Sequence, residues 1–163
     1  MIKMILATDE KGAIGLEGRL PWHSREDMRY FSKTTKDSTM VVGNNTYKAS
    51  CGFFQNVKDR DVWILSNKPQ KSYIGMDRVW FSSISSLLKT AQLFDNSTYW
   101  LCGGANVYKQ MLPHVSEIHH TLIKGEHEAD TYFNMDFLNN GEWKLYSKEV
   151  LCDNATVNVW RRV

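Results

Sequence analysis

Short apolar runs separated by longer mixed segments dominate the pattern of hydrophobic and polar positions along the chain. The apolar runs fall at residues 2–8, 39–43, 61–66, 78–81 and 99–102. Their length and their β-branched and aromatic residues are typical of buried strands. Between them, we predict helices at residues 24–35, 45–49, 84–93 and 106–112. This alternation favours a largely parallel sheet that is covered by helices on both faces.

The last third of the chain has a different pattern. Residues 117–123 predict another strand, and residues 143–151 and 155–162 predict a hairpin across the turn-prone pair Asp153-Asn154. The predicted fold is a three-layer α/β domain that spans residues 1–163. It has a mostly parallel central sheet of about eight strands, an antiparallel C-terminal hairpin and about four flanking helices. In such sheets, ligands bind beyond the carboxyl ends of the strands.

Composition and charge argue against several classes of function. The 20 Lys and Arg residues nearly balance the 18 Asp and Glu residues, so the formal net charge of +2 gives no electrostatic basis for binding nucleic acid. No apolar stretch approaches the ~18 residues of a membrane-spanning helix. Cys51, Cys102 and Cys152 form no C-x-x-C pair, so we expect a reduced, cytoplasmic protein. The histidines lack metal-binding spacing, and we expect no metal.

Asp27 is the most informative residue of the predicted helix at 24–35. It shares one helical stripe with Tyr30, Phe31 and Thr34, at positions i, i+3, i+4 and i+7. A carboxylate on a largely apolar stripe indicates a polar ligand or an acid with a perturbed pKa. Ser24 offers another interpretation, because it can cap this helix and an acid in the first turn complements the helix dipole. Taken alone, this window favours the capping role.

Two glycine-containing segments indicate a phosphate-binding site. Gly103 and Gly104 follow a predicted strand and open a helix, and Gly43 precedes Thr46 in the same way. Glycine allows close approach of the backbone, and a helix N-terminus supplies free N–H donors. Each signal is weak, because the G-x-G-x-x-G fingerprint is absent. Two such segments at strand ends favour a long diphosphate ligand.

The order and spacing of these motifs resemble the dihydrofolate reductase family over nearly the whole chain. The matching residues are Ile14-Gly15, Leu20-Pro21-Trp22, Asp27 with Phe31, Gly43 with Thr46, Arg60, Ser66, Gly103-Gly104 with Val107-Tyr108, Thr121, and Asp130-Thr131-Tyr132-Phe133. The resemblance implies a dihydrofolate reductase-like fold and NADPH as cofactor. It also implies hydride transfer to C6 of 7,8-dihydrofolate and protonation at N5, which gives tetrahydrofolate for one-carbon and thymidylate metabolism. We expect a monomer whose only partners are these small molecules.

The same resemblance implies roles for individual residues. Asp27 would bind the pterin amino group and ring N–H, Thr121 would hydrogen-bond this carboxylate, and Arg60 would bind the carboxylate of the glutamate tail. The implied catalytic residues are Asp27, Trp22, Leu20 and Thr121. The implied substrate contacts are Ile5, Asp27, Met28, Phe31, Val57, Arg60 and Thr121, with Phe53 or Phe54 beside the tail. Water entering beside Leu20 would protonate N5, and Trp22 would hold a water near Asp27.

The implied cofactor residues extend over four segments of the chain. They are Ala7, Ile14, Gly15, Gly18 and Leu20, then Gly43, Asn44, Asn45 and Thr46, then Leu65, Ser66, Asn67 and Lys68, and finally Cys102, Gly103, Gly104, Ala105, Asn106, Val107 and Tyr108. The loop from Gly15 to Leu20 would close over the nicotinamide and exclude water.

The sequence departs from the family pattern around the predicted cofactor phosphates. Asn44, Asn45 and Asn67 stand where the family commonly has basic residues, and asparagine cannot neutralise a phosphate. Lys68 lies one position further on. We therefore expect NADPH to be favoured over NADH less strongly than in a typical relative. A riboflavin-pathway pyrimidine reductase and a catalytically silent protein of the same fold remain as alternatives.

Overall fold

The structure, a computed structural model, describes residues 1–163 and has ten strands. They are β1 (Ile2–Asp9), β2 (Ala13–Gly15), β3 (Thr39–Gly43), β4 (Asp61–Leu65), β5 (Arg78–Phe81), β6 (Tyr99–Leu101), β7 (Glu117–Ile123), β8 (Thr131–Tyr132), β9 (Trp143–Cys152) and β10 (Ala155–Arg162). Eight of them form one sheet in the order β5-β4-β3-β6-β1-β7-β10-β9. The six from β5 to β7 are parallel, and β10 and β9 are antiparallel. The predicted sheet and C-terminal hairpin are confirmed.

Five α-helices flank this sheet. They are α1 (Arg25–Thr35), α2 (Asn44–Lys48), α3 (Phe53–Asn56), α4 (Ile84–Gln92) and α5 (Ala105–Met111). Four of them match the predicted helices within one or two residues. The sequence pattern did not predict α3, because four residues are too few to show helical periodicity.

Two further short elements lie outside the main sheet. Strands β2 and β8 pair with each other as a two-stranded sheet. The segment that leads into the expected loop from Gly15 to Leu20 is therefore hydrogen-bonded to the chain near residue 131. Strands of three and two residues are too short to give an alternating pattern, so the sequence did not predict this pairing.

The hydrophobic core lies on both faces of the sheet. Alternate residues of a strand point to opposite faces, so Val41 packs in the larger cluster while its neighbours Met40 and Val42 pack in the smaller one. Phe54 and Phe31 lie on the side of the smaller cluster. This side also carries α1, and the predicted substrate contacts Phe31 and Val57 lie on it. No helix of the chain has the length and apolar character needed to cross a membrane.

Ser24 and Asp27 fix the start of α1. The Ser24 hydroxyl accepts a hydrogen bond from the backbone N–H of Asp27 at 3.2 Å, as an N-cap does. The Asp27 side chain is buried, at 6% exposure. The capping prediction is confirmed, and it is compatible with a role for the side chain, because the capping bond uses the Asp27 backbone and leaves its carboxylate free.

Candidate active site

One large cleft, of about 1470 Å³, gathers most of the predicted site residues. Those that line it are Ile5, Ala7, Ile14, Gly15, Gly18, Leu20, Trp22, Asp27, Met28, Phe31, Gly43, Asn44, Asn45, Thr46, Leu65, Ser66, Asn67, Lys68, Cys102, Gly103, Gly104, Ala105, Asn106, Val107 and Tyr108. Val57, Arg60 and Thr121 do not line it. Parallel strands end along this cleft, as expected for a ligand site in an α/β sheet.

Asp27 is the buried acid of the cleft. Burial raises the pKa of its carboxyl above the ordinary aspartate value, and a hydrogen bond from the Thr121 hydroxyl partly opposes that rise. Asp130 is the other carboxylate that lines the cleft, and it is exposed. Only Asp27 therefore has the environment of an acid that can hold a proton near a ligand.

Thr121 lies behind the cleft on β7. Its neighbours across the sheet are Ala7 on β1 and Val157 on β10, so three strands hold its backbone in place. A threonine on a central strand keeps its hydroxyl at a fixed distance from the helix above it. This placement suits a residue that acts on the Asp27 carboxylate rather than on a ligand.

Trp22 lines the cleft and also makes a contact that the sequence did not predict. Its ring meets the His127 ring edge-on, with 5.4 Å between centroids. His127 is held by Asp9, whose Oδ2 lies 3.2 Å from Nδ1 and accepts the His127 backbone N–H at 2.8 Å. The indole Nε1 of Trp22 is buried and has no hydrogen-bond partner in the protein. Asp9 and His127 are far apart in the chain, and neither forms part of a motif.

The loop before α1 is fastened to the chain that leads into β8. The backbone N–H of Glu17 donates to Oδ2 of Asp130 at 2.8 Å. The backbone N–H of Asp130 donates in turn to the carbonyl oxygen of Gly15 at 2.9 Å. Leu20, at the end of this loop, is 43% exposed at the rim of the cleft. Hydrogen bonds therefore hold the Gly15–Glu17 part of the loop in place, and its Leu20 end is exposed to solvent.

Two helices begin at the cleft without side-chain caps. Gly43 precedes α2 and Gly104 precedes α5, and neither helix has a capping side chain. The two starts touch, because the Gly43 N–H donates to the carbonyl oxygen of Gly103 at 2.8 Å. The peptide bond between Gly103 and Gly104 is cis. First-turn N–H groups from both helices are left for an anion, so the arrangement fits the diphosphate of a dinucleotide.

The glycines at this contact are needed for space. A Cβ on Gly104 would lie 3.2 Å from the Thr46 hydroxyl oxygen, and one on Gly43 would lie 3.2 Å from a methyl group of Val107. Both distances are closer than ordinary side-chain contacts. A larger residue would push α2 and α5 apart and widen the cradle.

The outer end of the cleft is polar but weakly charged. Asn44, Asn45 and Asn67 line it together with Lys68, whose backbone N–H donates to the Ser66 hydroxyl at 3.1 Å.

The sequence did not single out several other residues that line the cleft. Among them are Arg19, Lys48, Gln70, Trp80, Ser82 and Ser83. They belong to no motif, and only the folded chain brings them together.

Tyr108 connects α5 to the central strand. Its hydroxyl donates to the carbonyl oxygen of Ile5 at 2.9 Å, and the side chain is buried. Burial raises the pKa of this hydroxyl well above the ordinary tyrosine value, so it stays a hydrogen-bond donor. The contact fixes α5, and with it the uncapped helix start, against β1.

Arg60 lies just outside the cleft, near the end of α1. Its Nη1 donates to the Thr35 hydroxyl at 3.0 Å, and its Nε is buried without a hydrogen-bond partner, 3.7 Å from Oδ1 of Asp59. Arg78 holds the preceding loop by donating to the carbonyl oxygens of Val57 and Arg60. Arg60 is therefore a largely buried guanidinium with unused donor capacity.

An aromatic cluster stands between Asp27 and this arginine. Phe31 on α1 packs against Phe53 and Phe54 of α3, with ring centroids 5.7 and 6.5 Å apart. Both contacts are edge-on, and all three residues line the cleft. The chain holds no group of three His, Cys, Asp or Glu side chains that could bind a metal ion.

Comparisons with known proteins agree with this arrangement. A family model described as "Dihydrofolate reductase" matches residues 1–159. The chain is 32% identical over 133 residues to a dihydrofolate reductase of Enterococcus faecium, covering 80% of this chain and 77% of the relative. It is 29% identical over 149 residues to that of Bacillus subtilis, covering 91% and 83%. A solved structure of the Enterococcus faecalis dihydrofolate reductase, complexed with NADP(H) and RAB-propyl, superposes with a TM-score of 0.83 at 25% identity and covers 99% of this chain and 96% of that one.

Proposed function

The chain belongs to the dihydrofolate reductase family, an oxidoreductase family that reduces dihydrofolate to tetrahydrofolate with NADPH, and we propose that it performs this reaction in the cleft around Asp27. One observation carries the assignment of the site. A single buried carboxylate with a raised pKa shares one cleft with the two uncapped helix starts at Gly43 and Gly104. The buried carboxylate suits a pterin, and the two helix starts suit the diphosphate of a dinucleotide. The alternative pyrimidine reductase has no need of this buried acid.

Asp27 binds and orients the pterin. Its carboxylate accepts hydrogen bonds from the pterin amino group and ring N–H, and the apolar side chains of Ile5, Met28 and Phe31 surround that ring. Burial makes these charge-assisted bonds stronger than they are in water. Thr121 holds the carboxylate in the orientation that faces the ring.

The part of the cleft around Gly43 and Gly104 would hold the cofactor. When bound, NADPH supplies the hydride that adds to C6 of the pterin. The backbone of Ala7 and Ile14 positions the carboxamide of the cofactor, and the N–H groups after Gly43 and Gly104 bind its diphosphate. Lys68 would provide a positive charge for the 2′-phosphate of NADPH at the outer end of the cleft.

The proton for N5 comes through the rim near Leu20. This side chain is exposed, so water reaches the pterin beside it when the loop moves. The buried Nε1 of Trp22 has a free donor, which suits a water molecule held near Asp27. Asp27 then sets the protonation balance of the pterin through its raised pKa.

Arg60 recognises the far end of the substrate. Its partly unused guanidinium lies beyond the Phe31, Phe53 and Phe54 cluster, where a substrate's aromatic ring and then its glutamate tail would extend. A planar guanidinium binds a carboxylate through two parallel bonds. Val57 packs against the same apolar cluster from outside the cleft. We further propose that the protein is a monomer. We also propose that it works in a reducing cytoplasm, which the three free cysteines support.

A cofactor-oxidation assay tests the proposed function. Purified protein should oxidise NADPH when 7,8-dihydrofolate is added and should not when the pyrimidine substrate of riboflavin synthesis replaces it. The matched blank omits the folate. Absence of turnover with dihydrofolate, in protein shown to be folded by circular dichroism, would overturn the proposal.

A further inference from the structure

A chain of hydrogen bonds links α1 to β7 beside the proposed active site. The Tyr30 hydroxyl lies 2.5 Å from Nδ1 of His119, and Nε2 of His119 lies 2.8 Å from Oε1 of Glu117. Tyrosine has one O–H to donate, and an ionised glutamate can only accept. The hydrogen bonds therefore run in one direction. Tyr30 donates to His119, and the Nε2–H of a neutral His119 donates to Glu117.

The protein environment keeps these three groups in the states that the chain requires. Burial lowers the pKa of His119, although its bond to Glu117 opposes this, so the imidazole stays neutral near pH 7. Burial raises the pKa of Tyr30, which keeps its O–H. Burial also raises the pKa of Glu117, but the hydrogen bond from His119 and the charge of Lys3 bring it below its ordinary value.

Charged groups from the neighbouring strands hold Glu117, the last residue of this series of hydrogen bonds. Oε2 of Glu117 lies 3.3 Å from the Lys3 ammonium on β1 and 3.6 Å from Nε of Arg161 on β10. These three residues are direct neighbours across the sheet. The Trp100 ring meets the His119 ring edge-on, with 4.8 Å between centroids. The remaining charges that act on Tyr30 are Asp27 on its own helix and Glu149 on β9.

This series of hydrogen bonds lies beside the bond between Thr121 and Asp27. Tyr30 lies three residues after Asp27 on α1, and His119 lies two residues before Thr121 on β7. Residues three apart share a helix face, and residues two apart share a strand face. The helix and the strand are therefore joined at two adjacent levels. Asp27 meets Thr121 at one level, and Tyr30 meets His119 at the next.

We propose that Tyr30 and His119 are positioning residues for Asp27, because their hydrogen bond fixes the distance and register of α1 against β7 one helical turn away from the carboxylate. The proposal rests on the proposed function. It gives a role to two residues that the sequence did not place among the site residues. Loss of the bond lets the helix start move outward, and water then reaches the Asp27 carboxylate.

Tyr30→Phe tests this role, since it removes one hydroxyl and keeps the ring. We expect KM for dihydrofolate to rise about three- to tenfold, the usual range for one lost hydrogen bond, with a smaller change in kcat and none in KM for NADPH. Titration of the Asp27 carboxyl by ¹³C NMR, without any ligand, should give a pKa closer to the ordinary aspartate value. Tyr73→Phe is the matched control, because Tyr73 is 74% exposed and does not line the cleft.

A second variant keeps the test decisive if Tyr30→Phe folds poorly. His119→Gln retains an acceptor and a donor and should recover part of the loss seen in His119→Leu. A purely structural role predicts a lower melting temperature with an unchanged KM and an unchanged Asp27 titration, and that result would overturn the proposal. An inactive wild-type protein would instead refute the proposed function, and the Asp27 titration would still judge the role of Tyr30.

Discussion

At the scale of single residues, burial decides which ionisable groups can do chemistry. Asp27 and His120 are both buried, but burial moves their pKa values in opposite directions, because it disfavours the charged form of each. For Asp27 this makes a carboxyl that can be protonated near a ligand. For His120 it makes an imidazole that stays neutral.

His120 should make the protein less stable in mild acid. Its Nε2 lies 2.8 Å from the Thr8 hydroxyl, and burial lowers its pKa to about 4. The unfolded chain binds a proton at a pKa of about 6.5, so unfolding takes up a proton as the pH falls below that value. We expect the free energy of unfolding to drop by about 3 kcal/mol between pH 7 and pH 4 from this group.

Chemical denaturation at pH 7, 6 and 5 measures this effect. His120→Gln should flatten the dependence, because glutamine can still reach Thr8 but does not titrate. His114→Gln is the control, since His114 is exposed. An equally steep acid loss in His120→Gln would show that another group causes it.

At the scale of elements, the site depends on how closely two helix starts approach. α2 and α5 meet through the Gly43 and Gly103 backbones, and the Val107 methyl group and the Thr46 hydroxyl pack so closely there that neither Gly43 nor Gly104 has room for a side chain. Residues that are distant in sequence therefore create one cradle. The pairing of β2 with β8 acts similarly, since it ties the loop before α1 to the chain around Asp130.

Gly104→Ala should damage cofactor binding selectively. The added Cβ would lie 3.2 Å from the Thr46 hydroxyl oxygen, while the backbone φ of −83° is one that alanine adopts freely. We expect KM for NADPH to rise at least about tenfold, because both helix starts must shift. KM for dihydrofolate serves as the internal control. Equal increases in both values would indicate general misfolding, and an unchanged KM for NADPH would contradict the proposed cradle.

At the scale of the whole molecule, charge sets the strength of cofactor discrimination. The chain has a formal net charge of only +2, and the outer end of the cleft has three asparagines beside Lys68. We expect kcat/KM for NADPH to exceed that for NADH by less than about a hundredfold, since one flexible lysine binds a phosphate as a point charge. A preference of many hundredfold would contradict this account.

Lys68→Gln separates the contribution of this charge. It should lower kcat/KM for NADPH about five- to tenfold, equivalent to about 1 kcal/mol, and leave NADH unaffected. Lys71→Gln is the matched control, because Lys71 is exposed and does not line the cleft. An equal loss with both cofactors would mean that Lys68 does not contact the 2′-phosphate.

The sequence predicted the sheet from local signals, whereas the residues of the cleft came from the family resemblance, which rests on the order of distant motifs. Buried strands such as β3 are continuous apolar runs, and the motifs around Asp27 and Gly104 have a fixed order. The contacts that it did not predict join distant segments. Tyr30 and His119 are 89 residues apart, and Asp9 and His127 are 118 apart. Neither pair has a periodic pattern, so only the folded sheet brings its members together.

The pH dependence of turnover in wild type and Asp27→Asn tests the central claim most directly. The variant should fold at least as well, because a buried carboxylate with a raised pKa costs stability above that pKa, and asparagine removes the charge. At neutral pH we expect NADPH-dependent dihydrofolate reduction to fall at least about a hundredfold, with loss of the pH dependence that Asp27 causes. Full activity with an unchanged pH profile in Asp27→Asn would contradict the account.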